Sequence, residues 1–187
     1  MNILHLDSSI TGDNSTSRKL SAEVVAKLKA ANPSAQVVYR DLVANPIEHL
    51  TLPAYGEPLS AELMAEFQAA DTIVMGVPMY NFGTSSQLRA WFDRVLVAGV
   101  TFKYGPEGVQ GLAGGKRVIV AASRGGYYGE GTPAASMEHQ VSYVKALLGF
   151  IGITDVDVVV AEGQAVGADA KAAGIANAEA AIAGLAA

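Results

Sequence analysis

The chain has no cysteine, so thiol catalysis, disulfides and thiolate metal sites are excluded. Its three histidines, His5, His49 and His139, show no metal-ligand spacing, and no metal is expected. Apolar runs long enough to span a membrane are also missing. The start, Met-Asn-Ile-Leu-His-Leu-Asp, lacks the basic stretch of a signal peptide and meets Asp7 too soon for one. A soluble cytoplasmic protein is therefore expected. An excess of basic residues is lacking too. The net charge is −5, spread rather than blocked, which disfavours an electrostatic footprint for nucleic acid.

Apolar residues, by contrast, are plentiful. They make up 50% of the 187 residues, which argues against disorder. That length fits one domain, residues 1–187, and folding should bury about 70% of the extended-chain surface. Short apolar stretches predict strands over 3–6, 36–39, 73–77, 118–122 and 156–161. Between them run helical spacings. Leu20, Val24, Leu28 and Ala31 mark the first helix. The second, over 60–70, has Ser60 as its cap and Leu63, Met64 and Phe67 inward. Leu88, Phe92, Val95 and Leu96 mark the third, over 84–97. Met137, Val141, Val144, Leu148 and Ile151 mark the fourth. An Ala-rich tail from Ala165 reads as a closing helix. Five strands alternating with five helices give an α/β doubly wound parallel sheet, helices on both faces, in the flavodoxin-like order 2-1-3-4-5.

In such sheets ligands bind beyond the carboxyl ends of the strands, where the winding reverses. Three loops meet there. The first, Asp7 to Arg18, carries six hydroxyls between Ser8 and Ser17 and opens a helix. Unsatisfied N–H groups at a helix N-terminus and nearby hydroxyls suit a phosphate. Ser9, Ser15, Thr16 and Ser17 are the candidate contacts, although N-capping alone would use one of them. Asp7 should point outward or cap the loop, since it would repel an anion. The loop is neither the Rossmann glycine fingerprint nor a Walker A sequence. The second loop follows Pro78, which ends the central strand. It reads Met79-Tyr80-Asn81-Phe82-Gly83, an apolar lip with an amide at its tip. The lip suits a flat, partly apolar ligand or merely plugs a helix–sheet corner. The third reads Ser123-Arg124-Gly125-Gly126, where two glycines allow close approach of backbone N–H groups. Together these suit the phosphate, ring face and ring edge of a flavin mononucleotide.

Other features carry less. Residues 42–58 hold three prolines and no period, so they read as a long surface loop, the usual place of a substrate lid. Residues 99–115 read as a second long connection, holding Phe102 and Tyr104. Trp91 falls off the stripe of its helix and is either a partner contact or a half-buried flank. His49, His139, Asp155 and Asp157 read as solvated.

The sequence resembles the FMN-dependent NADH:quinone oxidoreductase and azoreductase family. The resemblance runs through the Ser8-Ser9 to Ser15-Thr16-Ser17 loop, Pro78-Met79-Tyr80-Asn81-Phe82, Gly99-Val100-Thr101-Phe102-Lys103-Tyr104 and Ser123-Arg124-Gly125-Gly126. It continues through Phe150-Ile151-Gly152-Ile153-Thr154-Asp155-Val156 and Ala161-Glu162-Gly163. It implies non-covalent FMN, NADH or NADPH as electron donor, a quinone or azo compound as acceptor, and a homodimer with its sites at the interface. By resemblance, Ser9 and Ser15 to Ser17 hold the phosphate, Met79 to Phe82 line the ring, and Ser123 to Gly126 meet its polar edge. Asn81 and Tyr104 are the catalytic candidates: Asn81 as a donor to the ring, Tyr104 as a proton source alongside Tyr127, Tyr128 and water. Trp91, Phe102 and Tyr104 are the expected apolar dimer contacts. The 50–60 region looks shorter than in many relatives. A flavodoxin-like electron carrier without a substrate of its own, or a phosphate-binding module without flavin, would carry many of the same features.

Overall fold

Five parallel strands collect the apolar runs. In the computed structural model, which describes residues 1–186, they are β1 (Asn2–Asp7), β2 (Gln36–Asp41), β3 (Thr72–Pro78), β6 (Arg117–Ser123) and β7 (Asp155–Ala161). They lie in the order β2-β1-β3-β6-β7, which is the expected 2-1-3-4-5. Every residue of β3 is buried, as a central strand covered on both faces requires. Pro78 ends β3 opposite Ser123, where its missing N–H costs least.

The helices divide between the two faces. They are α1 (Thr16–Ala31), α2 (Pro58–Ala69), α3 (Ser86–Val95), α4 (Val141–Phe150) and α5 (Ala168–Gly184). Leu20, Val24 and Leu28 of α1 and Ala178 and Ile182 of α5 pack with Val74, Ile119 and Val159 on one face. Leu63 and Phe67 of α2, Trp91 and Phe92 of α3, and Val144 and Leu148 of α4 pack with Met75 and Val120 on the other. That parallel order brings the loops after β1, β3 and β6 to one sheet edge. Among the described residues, no helix is long and apolar enough to cross a membrane.

Several expectations are corrected. Trp91 is fully buried, edge-on to Phe67 at 6.0 Å and Phe92 at 5.2 Å. Helix α2 packs beside α3, so α3 buries a wider stripe than the sheet alone would demand, and Trp91 is no partner contact. Residues 99–115 are not an irregular connection. They form a two-stranded arm, β4 (Phe102–Gly105) and β5 (Gly108–Gly111). Tyr104 on that arm is 72% exposed, whereas Phe102 is tucked under it against Phe150.

Residues 42–58 are fastened rather than loose. Leu42, Ile47 and Ala54 are buried and Pro53–Gly56 forms a 3-10 turn. Buried Arg94 donates to Glu48 O (3.1 Å), Ala54 O (3.2 Å) and Ser60 Oγ (2.7 Å). Ser60 is accordingly not the cap of α2, which starts at Pro58. Met137 precedes α4 in a separate 3-10 turn. Asp157 is held by Arg117 at 2.7 Å rather than solvated.

Candidate functional site

The first loop turns into α1 at Ser15. Ser15 Oγ accepts the Arg18 N–H at 3.2 Å, so this residue is the N-cap. The other hydroxyls stay gathered around it. Ser17 Oγ lies 3.1 Å from Ser15 Oγ, and Ser9 Oγ lies 3.0 Å from Thr11 Oγ1. Thr16 Oγ1 instead donates to Gln164 Oε1 at 2.8 Å. Ser9, Ser15 and Ser17 are all buried. Among the described residues, the N–H groups of Thr16 and Ser17 have no protein acceptor. Two free donors at the positive end of a 16-residue helix, ringed by hydroxyls, are a set that could hold a phosphate-sized anion.

Asp7 neither points outward nor caps this loop. It is buried beneath it, accepting from Ser21 Oγ at 2.8 Å and Tyr39 OH at 3.2 Å, with His5 Nε2 3.5 Å away. Space for it comes from Gly76 on the next strand, because a Cβ there would fall on Asp7 Oδ1. Arg18 compensates from the solvent side. Its guanidinium donates twice to Ser9 O (2.8 and 3.1 Å) and forms a two-pronged pair with Asp41 (2.6 and 2.8 Å). The Arg18 hydrogen bonds, led by the side-chain pair, bring the Asp41 carboxyl down to about 2. Burial pushes the Tyr39 phenol up to about 12.

The second loop is a tight turn. Tyr80 and Gly83 exchange both main-chain hydrogen bonds (3.0 and 3.1 Å) across Asn81 and Phe82. These two residues have φ of 47° and 70°. Positive φ at both central positions is the type I′ geometry, usually filled by Asn and Gly. Phenylalanine there is strained, and such strain gathers at functional sites. The turn leaves the N–H groups of Asn81 and Phe82 free among the described residues. Asn81 and Phe82 are exposed, while Met79 and Tyr80 are half-buried.

The third loop presents a matching pair. Residues 124–126 are tied to 163–165, with Arg124 O, Gly125 O and Gly126 O accepting from Gln164, Ala165 and Gly163 N–H groups. That pairing uses the carbonyls and leaves the N–H groups of Gly125 and Gly126 without a protein acceptor among the described residues. Ser123 gives its carbonyl to the Met79 N–H at 2.9 Å. The Arg124 side chain is buried, paired with Glu162 at 3.0 Å and Glu138 at 3.3 Å. It holds the loop from beneath rather than facing outward.

The strand ends thus bring together Ser9, Ser15, Thr16, Ser17, Met79, Tyr80, Asn81, Phe82, Ser123, Gly125 and Gly126. Tyr104 stands apart on the β4–β5 arm. Gln140 and Gln164, which tie these loops to one another, give no signal in the sequence, because a buried amide has no periodic signature. A separate cleft of ≈ 490 Å³ between α2 and α3, lined by Tyr55, Met64, Arg94, Val97 and Val100, shares none of these residues.

The family model described as "Flavodoxin-like fold" matches residues 1–185. A protein of Xanthomonas campestris pv. campestris named FMN-dependent NADH:quinone oxidoreductase is 54% identical, over 97% of this chain and 98% of its own. That alignment spans 199 positions, more than the 187 residues here, so the relative carries residues that this chain lacks. A Methylorubrum extorquens protein of the same name is 50% identical over 95% of each chain. Among solved structures, an azoreductase from Bacillus anthracis superposes with a TM-score of 0.87 at 30% identity, covering 98% of this chain and 97% of its own.

Proposed function

Because the chain belongs to the flavodoxin-like family, and within it to the FMN-dependent NADH:quinone oxidoreductases, we propose that it passes two electrons from NADH or NADPH through non-covalently bound FMN to quinones and azo compounds. The observation that carries this reading is the convergence, among the described residues, of three pairs of unpartnered N–H groups at one sheet edge: Thr16 and Ser17, Asn81 and Phe82, Gly125 and Gly126. A ligand that is anionic at one end and a polar-edged ring at the other satisfies all three. When bound, FMN supplies the redox chemistry, taking a hydride from the nicotinamide and giving two electrons to the acceptor.

The residues divide the work. Thr16 and Ser17 N–H groups and the hydroxyls of Ser9, Ser15 and Ser17 hold the phosphate; a hydrogen bond to a charged group contributes about 1.5–3 kcal/mol. Met79, Tyr80 and Phe82 give the ring an apolar wall, and Asn81 donates to its polar atoms. Gly125 and Gly126 N–H groups lie ready for negative charge at the ring edge, as in an oxyanion hole. Arg124 positions them through its buried ion pairs.

A symmetric homodimer completes the site. Tyr104, Val109, Leu112 and Val100 on and beside the β4–β5 arm are each at least 40% exposed. An arm of this kind covers apolar surface by reaching a second copy, and most soluble oligomers are two-fold symmetric. Tyr104 then closes over the facing chain's ring as a proton source, with Tyr127, Tyr128 and water as the other donors. Nicotinamide and acceptor take turns in that one pocket.

Steady-state kinetics test the reading. NADH alone, without oxygen, should bleach the bound flavin, and quinone should restore its colour. Double-reciprocal plots at several quinone concentrations should be parallel. Intersecting lines with an NADH–quinone ternary complex would refute the shared pocket. Flavin that neither NADH nor NADPH bleaches would favour an electron carrier.

A further inference from the structure

Gln140 lies behind the two lips of the site, fully buried between β3 and β6. Its Nε2 donates to Val77 O at 2.7 Å and Ser123 O at 3.3 Å, and its Oε1 accepts from Arg124 Nε at 2.9 Å. A buried amide is retained only where its partners satisfy it, and here those partners are the ends of two different strands. Pro78 brings no N–H to the ladder at this point, and the Gln140 amide supplies donors between the strand ends instead. The two residues before it act on the same loops. His139 N–H donates to Phe82 O at 3.0 Å, across the strained turn. Glu138 pairs with Arg124 and accepts the Gln140 N–H at 2.8 Å. One tripeptide therefore grips the turn at Phe82, both strand ends and the base of the Gly125-Gly126 loop.

We propose that Glu138-His139-Gln140 is a clamp that sets the spacing between the Asn81–Phe82 donors and the Gly125–Gly126 donors, with Gln140 as its positioning residue. The inference rests on the FMN reading above. The clamp's bonds go to the loops themselves, so it acts on how the donors meet the ring's polar edge. Those donors stabilise negative charge, so their spacing governs both FMN affinity and the ease of flavin reduction.

The test compares the holoprotein with three variants. Gln140→Met keeps the side-chain length and removes the three side-chain hydrogen bonds, to Val77 O, Ser123 O and from Arg124 Nε. Glu138→Gln keeps an acceptor for the helix N–H groups and removes the ion pair. Val25→Ala loosens the core under α1, away from the lips. Fluorescence titration gives FMN affinity, potentiometry the flavin midpoint potential, and visible spectra the ring's surroundings. Gln140→Met should bind FMN about tenfold more weakly, with a displaced potential and a shifted flavin band. Glu138→Gln should move all three the same way by less. Val25→Ala should lower the unfolding temperature and leave all three in place. If Gln140→Met does not fold, Glu138→Gln decides alone. Variants that lose stability but keep the wild-type affinity, potential and spectrum overturn the clamp. A wild-type protein that takes up no FMN overturns the function proposed above, and the clamp with it.

Discussion

The hydroxyl of Tyr80 lies 3.1 Å from Ser9 Oγ and accepts the Ile10 N–H at 3.0 Å, so the lip after β3 is buttoned to the hydroxyl loop after β1. Anything seated in both loops depends on that link. Tyr80→Phe keeps the ring and removes the hydroxyl. FMN affinity should fall by about 1 kcal/mol, roughly five- to tenfold, as read by quenching of FMN fluorescence. Unchanged affinity would mean that the two loops hold their places independently.

The cradle at α1 makes a prediction about ligand choice. Riboflavin lacks the phosphate and should bind far more weakly than FMN. Ser17→Ala should narrow that difference by about 1.5–3 kcal/mol, because it weakens FMN and not riboflavin. Equal loss for both ligands would assign Ser17 to the helix rather than to the anion.

Acid should act on the Arg18–Asp41 pair. The Asp41 pKa falls from the usual 3.8 to about 2 in the fold, chiefly through Arg18. A lowered carboxyl pKa stabilises the fold above 3.8, and that contribution disappears as pH drops through about 2. The stability difference between wild type and Asp41→Asn should thus be constant above pH 3.8 and close toward pH 2. Urea unfolding at a series of pH values reads it directly. A gap that persists at pH 2 would place the Asp41 contribution elsewhere.

Phe82 should trade stability for binding. Its φ of 70° costs about 1–2 kcal/mol for a side-chain-bearing residue. Phe82→Gly relieves this and adds about 0.5–1 kcal/mol of unfolded-chain entropy. The net expectation is a fold more stable by about 0.5–1 kcal/mol that holds FMN less well, because the apolar wall is gone. A less stable variant in thermal unfolding would show that the contact of Phe82 with Tyr128 outweighs the strain.

Strands were easy to read because a sheet covered on both faces needs unbroken apolar runs, as at 73–77. The loops were legible where composition is odd for solvent: six hydroxyls, an apolar tip, paired glycines. What escaped depends on partners distant in sequence. Trp91 looks peripheral in the sequence because α2, whose Phe67 lies beside it, adds a second covered face that the stripe toward the sheet does not show. Asp7 looked like a loop acid because Gly76, which makes room for it, lies 69 residues on. Gln140 carries no pattern at all, since its three partners, Val77, Ser123 and Arg124, belong to other elements. The arm escaped because four-residue strands bounded by glycines look like turns.

At the foot of that arm, Gly111 lies against Gly152, whose φ is 91°. A Cβ on Gly111 would fall on the Gly152 backbone, so main chain rests on main chain with nothing between. The arm therefore has a fulcrum with no cushion. Its strands reach outward about 13 Å at 3.3–3.4 Å per residue, and a tilt at the foot is magnified at Tyr104. An alanine at position 111 would have to push the arm and the Ile151–Gly152 backbone apart, and that small shift at the foot would be carried outward to Tyr104.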